Sequence, residues 1–465
     1  MKYISTRGQA PALSFDDVLL SGLGRDGGLY VPETWPRFTP QDIAAMARMN
    51  YRDVAAAVIA PFVEGAIGMD DLKALIETAY ENFDDPEIAP LKRLSDDEWL
   101  LELFHGPTLA FKDVALQFLG GMFDHVLGER GSKITVVGAT SGDTGSAAIA
   151  ACRDKDSIEI FILHPEGRVS DVQRRQMTTV LSKNVHNIAF KGNFDDCQNA
   201  VKALFNDLEF RDRIHLSAVN SINWVRIMAQ IVYYFWAATR IGAPEKKIQV
   251  AVPTGNFGNI FAAYGARKMG LGIEKFIIGS NSNDILIRFI RSGKMTPKGV
   301  RPTISPSMDI QISSNFERLL FEVCDRDPAR VRAFMADFRD KGEYAVPPEI
   351  FKKITDLFDG EYFDDAETKG IMRAVYVETG ELLDPHTAIG VGAARAVREP
   401  GDAPVICLAT AHPAKFPDAV HDACGVYPEL PKRLADLMTR EERADALDND
   451  LDVLREYIVH HIEPQ

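Results

Sequence analysis

Cysteine is scarce in this chain: there are five in 465 residues. They stand at positions 152, 197, 324, 407 and 424, and no two form a Cys-x-x-Cys pair. An odd number without paired spacing excludes a disulfide framework and a zinc site, and fits a reducing compartment. Positive charge is also short, with a formal net charge of −15. That argues against nucleic acid and against an anionic membrane surface as partners. Any anionic ligand must be held by local dipoles and a few placed cations. Long apolar runs are missing too. The start, Met1-Lys2-Tyr3-Ile4-Ser5-Thr6-Arg7-Gly8, has no apolar signal core. The most apolar window, 228–238, is too short to span a bilayer and contains Gln230. These absences lead to the expectation of a cytoplasmic protein that binds no metal. Repeats and low-complexity tracts are also lacking.

The length exceeds one ordinary core, so two or three domains are expected. A hydrophobic content of 46% and a charged content of 26% are ordinary for a globular protein. Residues 1–98 read as an amino-terminal module, with a capped helix at 14–20, a turn at Asp26-Gly27-Gly28 and helices at 41–57 and 69–80. A strand-like run covers 99–104. From Lys133 strands and helices alternate, with strands at 133–137, 158–163, 185–190, 213–219, 247–252 and 275–278. The helices between them fall at 146–152, 171–180, 195–205, 222–239 and 256–269. This alternation predicts an α/β architecture of parallel sheets covered by helices, with ligands at the carboxyl ends of the strands. Residues 281–400 read as mostly helical around a polar interlude at 305–314. A buried strand at 405–409 ends in Thr410-Ala411-His412-Pro413, and the tail from Leu430 reads as a charged helical segment. The expected division is 1–98, then 99–130 with 221–430 as a large domain, 131–220 as a small one, and 431–465 as a carboxy-terminal segment.

Lys112 stands at a strand-to-helix corner, after Gly106-Pro107 and beside Phe111. Helix starts disfavour cations, because the dipole there is positive. A buried amine also loses the solvation of its charge, which lowers its pKa. A neutral lysine of that kind is a nucleophile suited to Schiff-base formation. Taken alone, the position reads first as a surface lysine in the opening turn of an amphipathic helix. Two glycine-rich strand-to-helix loops add weight to the other reading. The first is Gly138-Ala139-Thr140-Ser141-Gly142-Asp143-Thr144-Gly145. The second is Pro253-Thr254-Gly255-Asn256-Phe257-Gly258-Asn259. Neither has dinucleotide or P-loop spacing. Their N–H groups and hydroxyls at helix starts suit an anion, and each also reads as a tight turn. A third constellation, Asn220-Ser221-Ile222-Asn223-Trp224-Val225-Arg226, puts Asn223 and Arg226 on one helix face. It reads equally as a second anion site or as a helix cap followed by a salt-bridged arginine.

Together these motifs resemble the threonine synthase family. The resemblance is carried by His105-Gly106-Pro107-Thr108-Leu109-Ala110-Phe111-Lys112-Asp113, by Ser141-Gly142-Asp143-Thr144-Gly145 and by Pro253-Thr254-Gly255-Asn256-Phe257-Gly258-Asn259. It extends to Ser5-Thr6-Arg7-Gly8, Asp26-Gly27-Gly28-Leu29-Tyr30-Val31-Pro32 and Thr410-Ala411-His412-Pro413-Ala414-Lys415-Phe416. It spans nearly the whole chain and is closer to the longer bacterial and fungal type. It implies a fold-type II, tryptophan-synthase-β-like enzyme with pyridoxal 5'-phosphate. Lys112 would hold the cofactor as a Schiff base and act as catalytic base. Gly255, Asn256, Phe257 and Gly258 would bind the cofactor phosphate, and Thr410 the pyridine nitrogen. Ser141, Gly142, Asp143 and Thr144 would take the substrate carboxylate. Thr108, Ser221, Asn223 and Arg226 would take the substrate phosphate. The implied reaction converts O-phospho-L-homoserine and water to L-threonine and phosphate. The alternatives are a serine/threonine dehydratase or phospho-substrate lyase of the same fold, and a binding protein that has lost the chemistry. His105 and His412 are expected to be structural.

Overall fold

A computed structural model describes residues 1–140, 142–217 and 221–462. The chain divides into two compact units. One comprises Met1–Leu19, Leu23–Phe111 and Ser221–Glu429, the other Leu20–Gly22, Lys112–Asn220 and Leu430–Gln465.

The first unit is built on a six-stranded sheet in the order Phe358–Tyr362, Ile273–Ser280, Ile248–Pro253, Val405–Ala409, Glu98–Glu102, Leu91–Arg93. Its pairings are parallel, except that Leu91–Arg93 runs antiparallel to its neighbour. Val405–Ala409 is buried throughout and Ile248–Pro253 nearly so, as expected where helices cover both faces of a parallel sheet. Helix Pro385–Val397 packs on the central strands. Its residues Ala388, Val391 and Ala394 share a core with Ala251, Ile277 and Cys407. Helix Trp224–Arg240 is buried along almost its whole length, as its all-round apolar sequence requires, and packs on Gly258–Lys268 and Tyr51–Val63.

The amino-terminal stretch expected as one helix at 41–57 is two, Pro40–Met46 and Tyr51–Val63. The Asn50 side chain accepts from the Asp53 N–H and starts the second helix afresh. Strand Phe358–Tyr362 lies inside the region expected to be mostly helical.

The second unit holds a parallel five-stranded sheet in the order Asp445–Leu447, Val185–Phe190, Ile158–Pro165, Ile134–Ala139, Leu216–Ser217. Helix Lys112–Arg130 packs on Asp143–Cys152, so closely that a Cβ at Gly120 would stand 2.2 Å from the Ala151 carbonyl oxygen. The strand expected at 213–219 is shorter, because helix Leu208–Arg213 takes its beginning and only Leu216–Ser217 pairs; residues 218–220 lie outside the described part. The tail is not one helix. It has short 3-10 turns, strand Asp445–Leu447 on the sheet edge, and helix Leu451–Ile462 packed into the core through Leu454 and Ile458. Among the described residues no helix is long and apolar enough to cross a membrane, and no group of three or more metal-ligating side chains forms.

Candidate active site

Lys112 is the first residue of its helix and is 7% exposed. Its Nζ donates to Asp143 Oδ2 at 3.3 Å. Asp143 opens the facing helix, and its Oδ1 accepts from Gln173 Nε2 at 2.8 Å. The buried ammonium is thus met by a buried carboxylate. Ahead of Lys112 the chain is stitched to the segment after strand Val405–Ala409. The Phe111 N–H donates to the Thr410 carbonyl at 2.8 Å, and the His412 N–H to the Leu109 carbonyl at 3.0 Å. Leu109 has a φ of +62° in the turn that Gly106-Pro107 begins. The buried Lys415 donates its Nζ to the Thr108 carbonyl at 2.6 Å. Sequence reasoning passed over Lys415, although a lysine inside Pro413–Phe416 was visible.

Thr410 is 5% exposed. Its N–H donates to Thr387 Oγ1 at 3.1 Å, and among the described residues its hydroxyl forms no hydrogen bond.

The loop Gly255–Gly258 is polarised. Its carbonyls point one way: Gly255 O accepts from Ser313 Oγ at 2.7 Å, and Asn256 O accepts from the Asn315 N–H and Nδ2 at 3.1 and 3.0 Å. Among the described residues none of the N–H groups from Gly255 to Ile260 donates to another protein group. Phe257 is held at φ +63° with its ring against Phe316 and Phe358. Consecutive free N–H groups at a helix start make an anion site without any lysine.

The other glycine loop is more self-contained. Thr140 Oγ1 accepts from the N–H groups of Gly142 and Gly145 at 3.0 and 2.9 Å. Gly142 has a φ of +146° and lies against Gln173. The Thr144 N–H has no partner among the described residues. Ser141 lies outside the described residues. Thr140, read only as part of the loop, is its organiser.

In the third constellation Asn223 is the cap of helix Trp224–Arg240. Its Oδ1 accepts from the Val225 N–H at 3.0 Å, and its Nδ2 donates to the Leu19 carbonyl at 2.8 Å. The Ser221 carbonyl accepts from Asn315 Nδ2 at 3.0 Å. Arg226 is 4% exposed, and its Nε and Nη1 have no hydrogen-bond partner. Among the described residues it forms no ion pair. Burial pulls its guanidinium down to about 10. The structure also supplies a clamp missed in the sequence. The fully buried Arg318 donates to the carbonyls of Tyr30 and Ile222 and to Asn315 Oδ1. It thereby ties the 221–223 turn to the residue that holds the Gly255–Gly258 loop.

His105 Nε2 lies 2.8 Å from the Glu102 carboxylate, and His412 Nδ1 accepts from the Ala414 N–H at 3.1 Å. Both of these contacts are local in the chain.

A family model described as pyridoxal-phosphate dependent enzyme matches residues 86–337, and the residues present fit that cofactor. The free N–H row suits its phosphate, and Thr410, just past the end of strand Val405–Ala409, keeps a buried hydroxyl with no hydrogen bond among the described residues. The chain is therefore a pyridoxal-phosphate-dependent enzyme of fold type II. Models described as threonine synthase N terminus and threonine synthase, C-terminal, match residues 2–80 and 387–458. A threonine synthase from Pseudomonas aeruginosa is 53% identical over 99% of this chain and 98% of its own length. The crystal structure of a PLP-bound threonine synthase from Brucella melitensis is 53% identical, with a TM-score of 0.98 and full coverage of both chains. The Escherichia coli threonine synthase structure is 32% identical, with a TM-score of 0.83, covering 99% of this chain and 100% of its own. The chain belongs to the threonine synthase family, whose members are lyases acting on a small molecule.

Proposed function

We propose that the chain converts O-phospho-L-homoserine and water to L-threonine and inorganic phosphate. Arg226 carries the choice of a phosphorylated substrate. It is a buried guanidinium with free donors and no carboxylate partner among the described residues. An isolated buried charge is costly, and a dianionic phosphoryl group would both neutralise it and fill its donors. Thr108, Ser221 and Asn223 complete the set assigned to that phosphate. Asn223 contributes least, since its Oδ1 already caps the helix and its Nδ2 already donates to the Leu19 carbonyl.

In this reading Lys112 would hold the cofactor covalently. The N–H groups of Gly255, Asn256, Phe257 and Gly258 would hold its phosphate, and the Thr410 hydroxyl would serve its ring nitrogen. Pyridoxal phosphate, when bound, supplies an electron sink that acidifies the substrate Cα–H. Gly142, Asp143 and Thr144, with Ser141, orient the substrate carboxylate. Lys112, as an amine, would take the Cα proton and then a Cβ proton. The phosphate leaves Cγ as its C–O bond breaks, and a proton is delivered to Cγ. Water adds its oxygen at Cβ, and Cα regains a proton. One base thus serves three carbons in turn, which a flexible lysine stem on a fixed helix start allows. Asp143, 3.3 Å from Nζ, is placed to steady the ammonium between transfers. Arg226 neutralises the leaving phosphate.

The test is a phosphate-release assay on O-phospho-L-homoserine with product analysis. Equimolar threonine and phosphate from a yellow wild type, and neither from Lys112→Ala, supports the reading. A keto acid as product, or turnover of serine or threonine alone, overturns the substrate assignment.

A further inference from the structure

Asp384 is fully buried and caps helix Pro385–Val397. Its Oδ2 accepts from the His386 N–H at 2.9 Å and pairs with His386 Nδ1 at 2.8 Å. Its Oδ1 accepts from the Thr387 N–H at 3.2 Å and from the Thr387 hydroxyl. A helix cap needs one acceptor, and a serine would supply it. This position instead keeps a buried charge, and it uses the excess capacity to orient two side chains.

The direction of every bond follows. A carboxylate only accepts, so His386 Nδ1 is the donor. Nε2 is then the acceptor, and it takes the Ser307 N–H at 3.2 Å. The Thr387 hydroxyl gives its proton to Asp384, which leaves its lone pairs for the Thr410 N–H at 3.1 Å. One branch therefore ends on Thr410. The other ends on Ser307, whose carbonyl oxygen would stand 3.0 Å from a Cβ on Gly255. The His386 ring also packs against Phe416, with centroids 5.0 Å apart.

We propose that Asp384 is a positioning residue that sets the two ends of the cofactor cradle from one point, through Thr387 at Thr410 and through His386 and Ser307 at the Gly255–Gly258 loop. The proposal rests on the reading of Thr410 and that loop as cofactor contacts.

The experiment uses holoenzymes and reads cofactor retention on dialysis, the visible absorbance band and the 31P resonance of bound cofactor. Thr387→Val is expected to hold cofactor about tenfold more weakly, since it strands the buried Thr410 N–H. It is also expected to shift the band in the same sense as Thr410→Val, with Thr387→Ser restoring both. His386→Asn keeps a donor toward Asp384 but loses the acceptor for Ser307. It is expected to move the 31P resonance and leave the band in place. A band, retention and 31P resonance at wild-type values in Thr387→Val and His386→Asn, while Thr410→Val changes the band, would overturn the proposal. Equal losses in Thr387→Val and Thr387→Ser that follow their melting temperatures would overturn it too, leaving a cap and nothing more. Wild-type band and retention in Thr410→Val itself would refute the underlying reading of Thr410 first, and this proposal with it.

Discussion

Lys112 Nζ donates to Asp143 Oδ2 across 3.3 Å, and the two side chains are only 9% and 5% exposed. Removing one partner of a buried ion pair is destabilising, by about 3–5 kcal/mol. In cofactor-free protein, Asp143→Asn is expected to lower the unfolding free energy by about 3 kcal/mol. The Lys112→Met, Asp143→Asn double variant should lose less than the sum of the two, with a coupling above about 1 kcal/mol. Denaturant titrations of the four proteins measure this. Additive losses would mean that the pair is not coupled.

Arg226 makes the opposite prediction for stability and for binding. Replacing an unpaired buried cation by an apolar side chain of similar length removes a desolvation cost. Arg226→Met should therefore melt no lower than wild type without ligand, and should gain on the order of 1–2 kcal/mol. It should also lack the upward melting shift expected of the wild type with inorganic phosphate, and its KM for the phosphorylated substrate should rise at least about tenfold. Thermal melts with and without phosphate, beside steady-state kinetics, check both halves. A retained phosphate shift would remove Arg226 from the anion site.

Much of this was legible in the sequence, for reasons that differ by element. Helix Met69–Tyr80 and strands Val185–Phe190 and Val405–Ala409 fall where the apolar pattern put them. Each carries a clear period or an unbroken apolar run. Phe358–Tyr362 was missed because Phe-Asp-Gly-Glu-Tyr is polar, as an edge strand paired on one side can be. The break between Pro40–Met46 and Tyr51–Val63 was signalled by Asn50 with Asp53, but the apolar period runs across it. Thr410 and the free face of Gly255–Gly258 follow strand ends and Lys112 opens a helix, places where sequence reasoning looks. Their support lies elsewhere. Thr140, Asn315, Arg318 and Asp384 act through backbone partners far away in the chain or hidden inside a turn. No periodicity reports such contacts. Of these only Asp384, followed by a proline at the first helical position, carried a local signal.

His164 provides a pH dependence. It is 3% exposed, at the end of the central strand Ile158–Pro165, and burial holds its imidazolium below the usual value of 6.5. The folded state therefore binds this proton less readily than the unfolded chain. The stability this site contributes is full above the unfolded pKa and is lost as pH falls toward the folded one. Between about pH 7.5 and about pH 5.5 the wild type should lose more melting temperature than His164→Gln. Parallel slopes across that window would show that another group sets the acid limb.

Thr410 bears on which reaction the site favours. A buried hydroxyl is neutral and acts as donor or acceptor, so at the ring nitrogen it does not enforce a positive charge as a carboxylate would. In our reading this tempers the electron sink enough to favour elimination and water addition over transamination. Thr410→Asp is expected to raise keto-acid formation relative to threonine, and Thr410→Ser, which keeps the hydroxyl, to leave the ratio unchanged. Both products come from one reaction mixture, so the ratio is independent of the amount of active enzyme. If Thr410→Asp partitions as the wild type does, the charge at this position does not direct the chemistry, and control must come from the groups around Lys112.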